Sequence, residues 1–220
     1  MAVRDALLAL LTAGPAYGFQ LHGGLAARTG GRRDINVGQT YATLERLTKQ
    51  RLVEPAGSTE DGLPLHRLTA AGTTAASAWL SGADAAGADP WDETIDRVLI
   101  ARSLPDCDAD AVVAAERVTW QRRRVEASDA TSETTSHAPS DTRRDADADA
   151  AEAELIRLAA SAEVARADAV LAWLDDVGGT ERLAFPPSTM RPKRGRRPGT
   201  SVAADAAAGD TAAAQAAAIA

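Results

Sequence analysis

A single cysteine, Cys107, stands in a chain of 220 residues. It excludes an intrachain disulfide and any zinc site built on paired cysteines. Histidine is nearly as scarce: His22, His66 and His137 are far apart in sequence, which argues against a histidine-based metal centre or triad. No glycine-rich phosphate loop occurs. An enzyme is therefore the least supported class, and no cofactor or metal is called for. Runs of about eighteen large apolar residues, the length that spans a membrane, are missing, and no membrane partner is expected. Arg4 followed by Ala6 to Ala13 has a faint look of a leader, but Asp5 sits where only basic residues belong and the apolar run is short. A reduced, cytoplasmic setting is the expectation.

Large apolar groups are also few. Apolar residues make up 45% of the chain, yet 51 of them are Ala, and Leu, Ile, Val and Phe together number 39. That is about 18%, just under the usual globular floor, so the large groups must be concentrated. Residues 1–80 hold 18 of the 39, enough for a small domain, whereas 186–220 hold only Val202 and Ile219. Charge is uneven as well. The net charge of −7 conceals +2 over residues 1–80, −12 over 81–185 and +3 over 186–220. The first segment suits an anionic polymer and the middle would be repelled by one.

Val3 to Leu11 reads as a helix, with Leu7, Leu8, Leu10 and Leu11 as its apolar face, ended by Gly14-Pro15. Tyr17 to Thr29 reads as a second helix, closed by Gly30-Gly31. Asn36 is a good N-cap for a third, running to about Arg51. At about 100° per residue, Val37, Thr40, Leu44, Leu47 and Thr48 form one arc. Gln39, Thr43, Arg46 and Gln50 form the opposite stripe, and Tyr41, Glu45 and Lys49 lie at a border. Gln and Arg side chains read base edges, through bidentate pairing with adenine and guanine. Leu52-Val53-Glu54 and Leu65-His66-Arg67-Leu68 read as two short hairpin strands. Thr69 caps a fourth helix, Ala70 to Leu80. Three helices, two strands and a helix are the order of a helix-turn-helix followed by a wing.

These residues resemble the PadR family of bacterial transcriptional regulators. The resemblance is carried by Ala6-Leu7-Leu8-Ala9-Leu10-Leu11, by Gly14-Pro15-Ala16-Tyr17-Gly18-Phe19-Gln20-Leu21, and by Asn36 to Leu47. Leu52-Val53-Glu54 and His66-Arg67-Leu68-Thr69-Ala70-Ala71-Gly72 complete it. His66 stands where the family usually has Tyr. The wing tip, Ser58-Thr59-Glu60-Asp61-Gly62, carries acid where the family often has Arg or Lys. The resemblance implies that the third helix enters the major groove. Gln39, Thr43 and Arg46 would then lie near base edges, with Tyr41 and Lys49 on phosphates. Thr40, Gln50 and Arg67 complete the candidate DNA-binding set together with Tyr17, which has two readings: a phenol on a phosphate, or a core tyrosine at a helix start.

Asp89 to Leu104 reads as a helix and Asp106 to Ala127 as a longer one, on which Val118 and Val125 are seven apart. Residues 128–150 read as a mobile linker or a frayed helical connection. Ala151 to Val177 is another long helix, with Leu155, Leu158, Ala162, Ala165 and Ala169 in a stripe. Longer PadR-like proteins carry such helices to embrace a partner subunit, which implies a homodimer. Trp91, Trp120 and Trp173 read first as packing. By resemblance alone they are also candidates for a pocket that takes a small aromatic effector. Cys107 reads as an unremarkable thiol or a redox sensor. The cluster Arg191, Lys193, Arg194, Arg196 and Arg197 adds DNA affinity or merely solubilises a disordered, Ala-rich tail.

The expected fold is mainly α: a winged helix-turn-helix with a two-stranded wing over 1–82, then long dimerisation helices over 83–185, flexible near 128–150. The tail, 186–220, follows. The expected function is ligand-responsive transcriptional regulation, most simply repression from a near-palindromic operator bound by a homodimer. The rival is a winged-helix module that binds a protein, for which the acidic wing and middle argue. Salt dependence separates the two.

Overall fold

Ala6, Leu7, Leu8, Ala9, Leu10 and Leu11 are all buried, on every side of the first helix, α1 (Ala2–Leu10). A helix apolar all round belongs at the centre of a domain, and α1 packs against α2 (Gly18–Arg28), α4 (Ala70–Leu80) and α5 (Pro90–Ser103). Leu21 and Leu25 of α2, Leu44 and Leu47 of α3 (Val37–Lys49), and Ala76 and Trp79 of α4 complete this core. The structure is a computed structural model and describes residues 2–84, 87–133, 143–181 and 183–189. Packing divides the chain after Met190, and Met1–Met190 form one compact unit.

The sheet has three strands rather than two. β2 (Val53–Ser58) and β3 (Pro64–Leu68) form the expected hairpin, and β1 (Ala16–Tyr17) adds to the far side of β3, pairing Ala16 with His66 and Tyr17 with Leu65. Two residues show no periodicity, so β1 has no sequence signal of its own. β2 runs through Pro55, which an edge strand tolerates because its outer side needs no N–H, and the ladder is irregular between Pro55 and Ser58.

α5 is buried along almost its whole length, polar residues included: Glu93, Thr94, Asp96, Arg97, Arg102 and Ser103 lie inside with Ile95, Val98 and Ile100. It packs on α1, α2 and α4 on one side and on α6 (Ala109–Glu133) on the other. The boundary expected near residue 82 is therefore not a break in packing. α6 and α7 (Arg143–Gly178) pair antiparallel: Arg117 reaches Asp175 and Arg124 reaches Asp168. Both helices extend into the segment read as a linker at 128–150, of which 134–142 lies outside the described residues. Ala-rich sequence with few β-branched residues propagates helix once tertiary packing holds one end. The tail expected to be disordered is 186–220: residues 186–189 are described, with Ser188 O accepting from Gln20 Nε2 at 2.8 Å, and 190–220 lie outside the described residues. Residues 183–189 have no regular secondary structure and return to the first domain, where the Phe185 N–H donates to Ser103 O at 3.2 Å. Among the described residues no helix is long and apolar enough to cross a membrane.

Candidate nucleic-acid interface

The third helix is held at both ends. Asn36 Oδ1 accepts from the Gln39 backbone N–H (2.9 Å), and Gln39 Oε1 accepts from the Asn36 N–H (3.3 Å). This reciprocal capping box satisfies two donors that a helix start leaves open. At the other end Leu52 N–H donates to Leu47 O and Arg51 N–H to Thr48 O, with Arg51 in the left-handed region at φ 58°. That is a Schellman closure, with arginine where glycine is usual.

The buried face of α3 is Thr40, Thr43, Leu44 and Leu47. Thr40 is 0% and Thr43 4% exposed, which corrects their assignment to a DNA-facing set. Thr40 Oγ1 lies 3.5 Å from His22 Nδ1 of α2. Val37 and Thr48, placed on the inner arc, are exposed. The true outward face is thus turned by roughly a quarter of a revolution, at about 100° per residue, from the one read in sequence. It is centred on Ala42, Glu45 and Lys49, with Gln39 and Arg46 on one flank and Tyr41 on the other. Threonine is small enough to be buried if its hydroxyl is paired, and polarity alone misplaces it.

The charged groups on this face are engaged locally. Arg46 Nε donates to Ala42 O (3.4 Å) and its NH2 to Thr43 Oγ1 (3.0 Å). Lys49 pairs with Glu45 at 2.6 Å, and the lysine holds the Glu45 carboxyl below its ordinary range. Gln50 is exposed at the C-cap. Tyr41 is 47% exposed, with its ring over Gly18: a Cβ there would lie 2.5 Å from Tyr41 Cε1. Gly18 thus lets α2 and α3 approach. On the wing, Arg67 Nε donates to Glu54 Oε1 (2.8 Å) in the open. Tyr17 caps α2 and is only 7% exposed, which favours the core reading. Sequence reasoning left Glu45 at a border, did not count Ala42 on the outward face, and gave Asn36 its capping role but not the reciprocal bond from Gln39. The Asn36-x-x-Gln39 spacing was the available signal for the capping role of Gln39.

The geometry decides what kind of domain this is: a capped helix, α3, laid across α2, its outer face open, beside a small wing. Residues 7–78 match the model of the transcriptional regulator PadR-like family. These residues form a PadR-like domain. Three solved structures from Bacillus subtilis are similar to the chain. PadR in complex with operator DNA is 16% identical, over 80% of this chain and 95% of that one, with a TM-score of 0.34. PadR in complex with p-coumaric acid is 16% identical over 80% and 93%, with a TM-score of 0.33. The transcriptional regulator PadR in space group H32 is 15% identical over 81% and 98%, also at 0.33. Comparison with curated proteins returned no match.

Behind the PadR-like domain, the structure brings Trp91, Trp120 and Trp173 into one cluster with Val98, Val113, Ala167, Val170 and Leu174. Trp91 and Trp173 meet edge to face at 5.2 Å. Trp120 is buried, and its indole N–H donates to Thr94 Oγ1 at 2.8 Å, while Arg123 and Arg166 lie over its ring. A cleft of about 440 Å³ lies elsewhere, between the PadR-like domain and the α5–α6 loop, lined by Thr12, Ser77, Leu80, Leu104, Cys107 and Val112 among others. No metal-binding group of acidic, His and Cys side chains occurs among the described residues.

Proposed function

We propose that this protein is a transcriptional regulator that binds duplex DNA as a homodimer, with α3 of each PadR-like domain in the major groove. The observation that carries this reading is the open outer face of α3: no part of the described chain covers Gln39, Ala42, Glu45, Arg46, Lys49 or Gln50. In the groove, Arg46 would exchange its weak bonds within the helix for a base edge, and Gln39 would keep its amide N–H₂ free while its oxygen caps the helix. Lys49 and Tyr41 would meet phosphates, which position rather than specify. Val118 and Val125 on α6, and Leu155, Ile156 and Leu158 on α7, are exposed apolar groups that a second copy would cover. Two-fold symmetry implies a near-palindromic operator with half-sites about one turn apart. The regulator acts as a repressor in this reading. A small aromatic effector that favours one spacing of the two α3 helices would release it. The Trp91–Trp173 pair, which keeps part of its surface exposed, is the place for that effector, since Trp120 is taken up in packing.

The test is enrichment of random duplex DNA by the purified protein at physiological salt. A palindromic consensus is the expected result. Arg46→Ala is then expected to weaken binding to that duplex by about 1–3 kcal/mol and to relax one base position. Enrichment of nothing by a folded dimer would favour the rival, a protein-binding winged helix. The acidic wing tip and the central position of Glu45 on α3 are the features that speak for it.

A further inference from the structure

We propose that the strap at residues 183–189 is a latch on the helix-turn-helix. Arg28 and Phe185 are its positioning residues, and they fix α2, and with it α3, relative to the α6–α7 pair. The inference rests on the DNA-binding reading above and names what sets the spacing of the two α3 helices in a dimer.

Three helices end where the strap begins. The end of α7 is tied to the last turn of α5, since Arg102 NH2 donates to Val177 O at 2.9 Å. Thr180 Oγ1 donates to the same carbonyl at 2.8 Å. The last turn of α2 is tied there too: Arg28, 5% exposed, donates through NH1 to Ser103 O of α5. Ser103 O takes a second bond from the Phe185 N–H at 3.2 Å. Arg28 NH2 donates to Phe185 O at 2.7 Å, and its guanidinium lies 4.2 Å over the Phe185 ring. One guanidinium thus joins α2, α5 and the strap. The carbonyl ends of helices carry partial negative charge and favour a cation, so an arginine can be buried here on carbonyls instead of a carboxylate. Burial lowers the Arg28 pKa, and the carbonyl and ring of Phe185 offset part of that cost.

From this joint the strap runs back along α2. Gln20 Nε2 donates to Ser188 O at 2.8 Å. Residues 20 and 28 lie about 12 Å apart along a helix, so the two anchors hold α2 over most of its length. Pro186-Pro187, between the anchors, have fixed φ and stiffen the segment. The turn after α2 is held separately to the first half of α5, Arg32 to Asp92 at 2.9 Å and Arg33 to Asp96 at 2.6 Å. α2 in turn carries α3: Gly18 lies against the Tyr41 ring, and Thr40 Oγ1 meets His22. The two helices therefore move together when the grip on α2 changes. In a two-fold dimer such a movement alters the distance between the recognition helices and leaves the base-reading side chains as they are. Phe185 is 39% exposed, so its ring can lift from Arg28 without opening the core.

The experiment uses the full chain and duplexes built on the enriched consensus, with the half-sites moved one base pair at a time closer together or further apart. Each base pair shifts a half-site by about 3.4 Å and turns it by about 35°. Wild type is expected to bind one spacing best. Phe185→Ala is expected to keep the half-site consensus and to discriminate spacings less, the affinity ratio of best to next spacing falling about threefold. Phe185→Tyr keeps a ring over Arg28 and is expected to keep the wild-type ratio. Hydrogen exchange of the free protein is measured alongside. Protection of the N–H at position 185 is expected to fall by about the same factor in Phe185→Ala and to hold in Phe185→Tyr. A wild-type spacing ratio in Phe185→Ala, with that protection reduced, overturns the positioning role. Unchanged protection in Phe185→Ala overturns the latch. Affinity lost equally at every spacing marks a ring that only stabilises the fold, and overturns the positioning role as well. Absence of any enriched duplex for wild type is a different result, the failure of the DNA-binding reading itself; protection at position 185 then still decides whether the Phe185 ring holds the strap.

Discussion

At Gly72 the absence of a side chain is a packing requirement. A Cβ there would sit 1.9 Å from the Leu52 carbonyl oxygen. The approach is close because Thr69, the cap of α4, bonds back to the turn after α3: its N–H to Leu52 O at 3.0 Å and its hydroxyl to Arg51 O at 2.7 Å. Gly72→Ala must push α4 off the start of β2 and is expected to cost about 3 kcal/mol, read as a lower urea midpoint; an unchanged midpoint would refute the argument. Glu93 illustrates a different constraint. Its carboxylate is fully buried and accepts from the Trp79 indole N–H at 2.5 Å, and burial raises its pKa above the ordinary 4.5. Between the unfolded and folded values the native state binds more protons, so this group's contribution to stability falls as pH rises through that window. Glu93→Gln keeps an oxygen for Trp79 and cannot titrate. The difference in Tm, variant minus wild type, is therefore expected to grow more positive from about pH 4.5 upward and then level off. A difference that stays constant from pH 4 to 8 would show that Glu93 titrates normally.

Among the elements, α3 shows how a local code and a tertiary one combine. Its beginning was legible, since Asn36 announces the cap. Its end was legible only as a limit near Arg51, because nothing in the sequence marks a left-handed arginine. An L-residue in that region carries a strain of about 1 kcal/mol that glycine lacks. Arg51→Gly is therefore expected to raise stability by about 0.5–1 kcal/mol, measured by urea denaturation. A loss of stability would mean that the Arg51 side chain makes a compensating contact. The rotation of the outer face of α3 was not legible. Thr43 follows Ala42 in a stretch where polar residues alternate with apolar ones, and only the position of α2 and β2 decides which side is covered.

For the molecule as a whole, the decisive element is α5. Its polar residues join the PadR-like domain to the α6–α7 pair through one buried network. Trp79 donates to Glu93, Thr94 Oγ1 donates to Glu116 Oε2 at 2.6 Å and accepts from Trp120 at 2.8 Å, and Arg97 pairs with Glu116. Arg97 also donates to Ala83 O at 3.1 Å. Paired and hydrogen-bonded, these groups tolerate burial that none would tolerate alone, and they hold the α6–α7 pair to the PadR-like domain. The outer side of α6 presents two exposed valines, Val118 at 66% and Val125 at 55%. The double variant Val118→Glu, Val125→Glu is expected to sediment as a folded monomer if a second copy covers this face. A persistent dimer would place the contact elsewhere.

Much of this was determined by sequence alone. The leucines of α1, the caps Asn36 and Thr69, the Gly14-Pro15 stop and the wing hairpin are local signals, read over a few residues, and they set the order of the PadR-like domain. The caps act where they were expected: Asn36 Oδ1 accepts from the Gln39 N–H at the start of α3, and Thr69 Oγ1 from the Gly72 N–H at the start of α4. Tertiary structure decided the rest, for one physical reason. The burial of a polar side chain depends on partners far away in sequence. Thr40, Glu93, Arg97 and Arg28 look like surface residues until His22, Trp79, Glu116 and Phe185 are brought to them. The third strand, the buried polar helix α5 and the strap on α2 all exist through contacts that no short window of sequence contains.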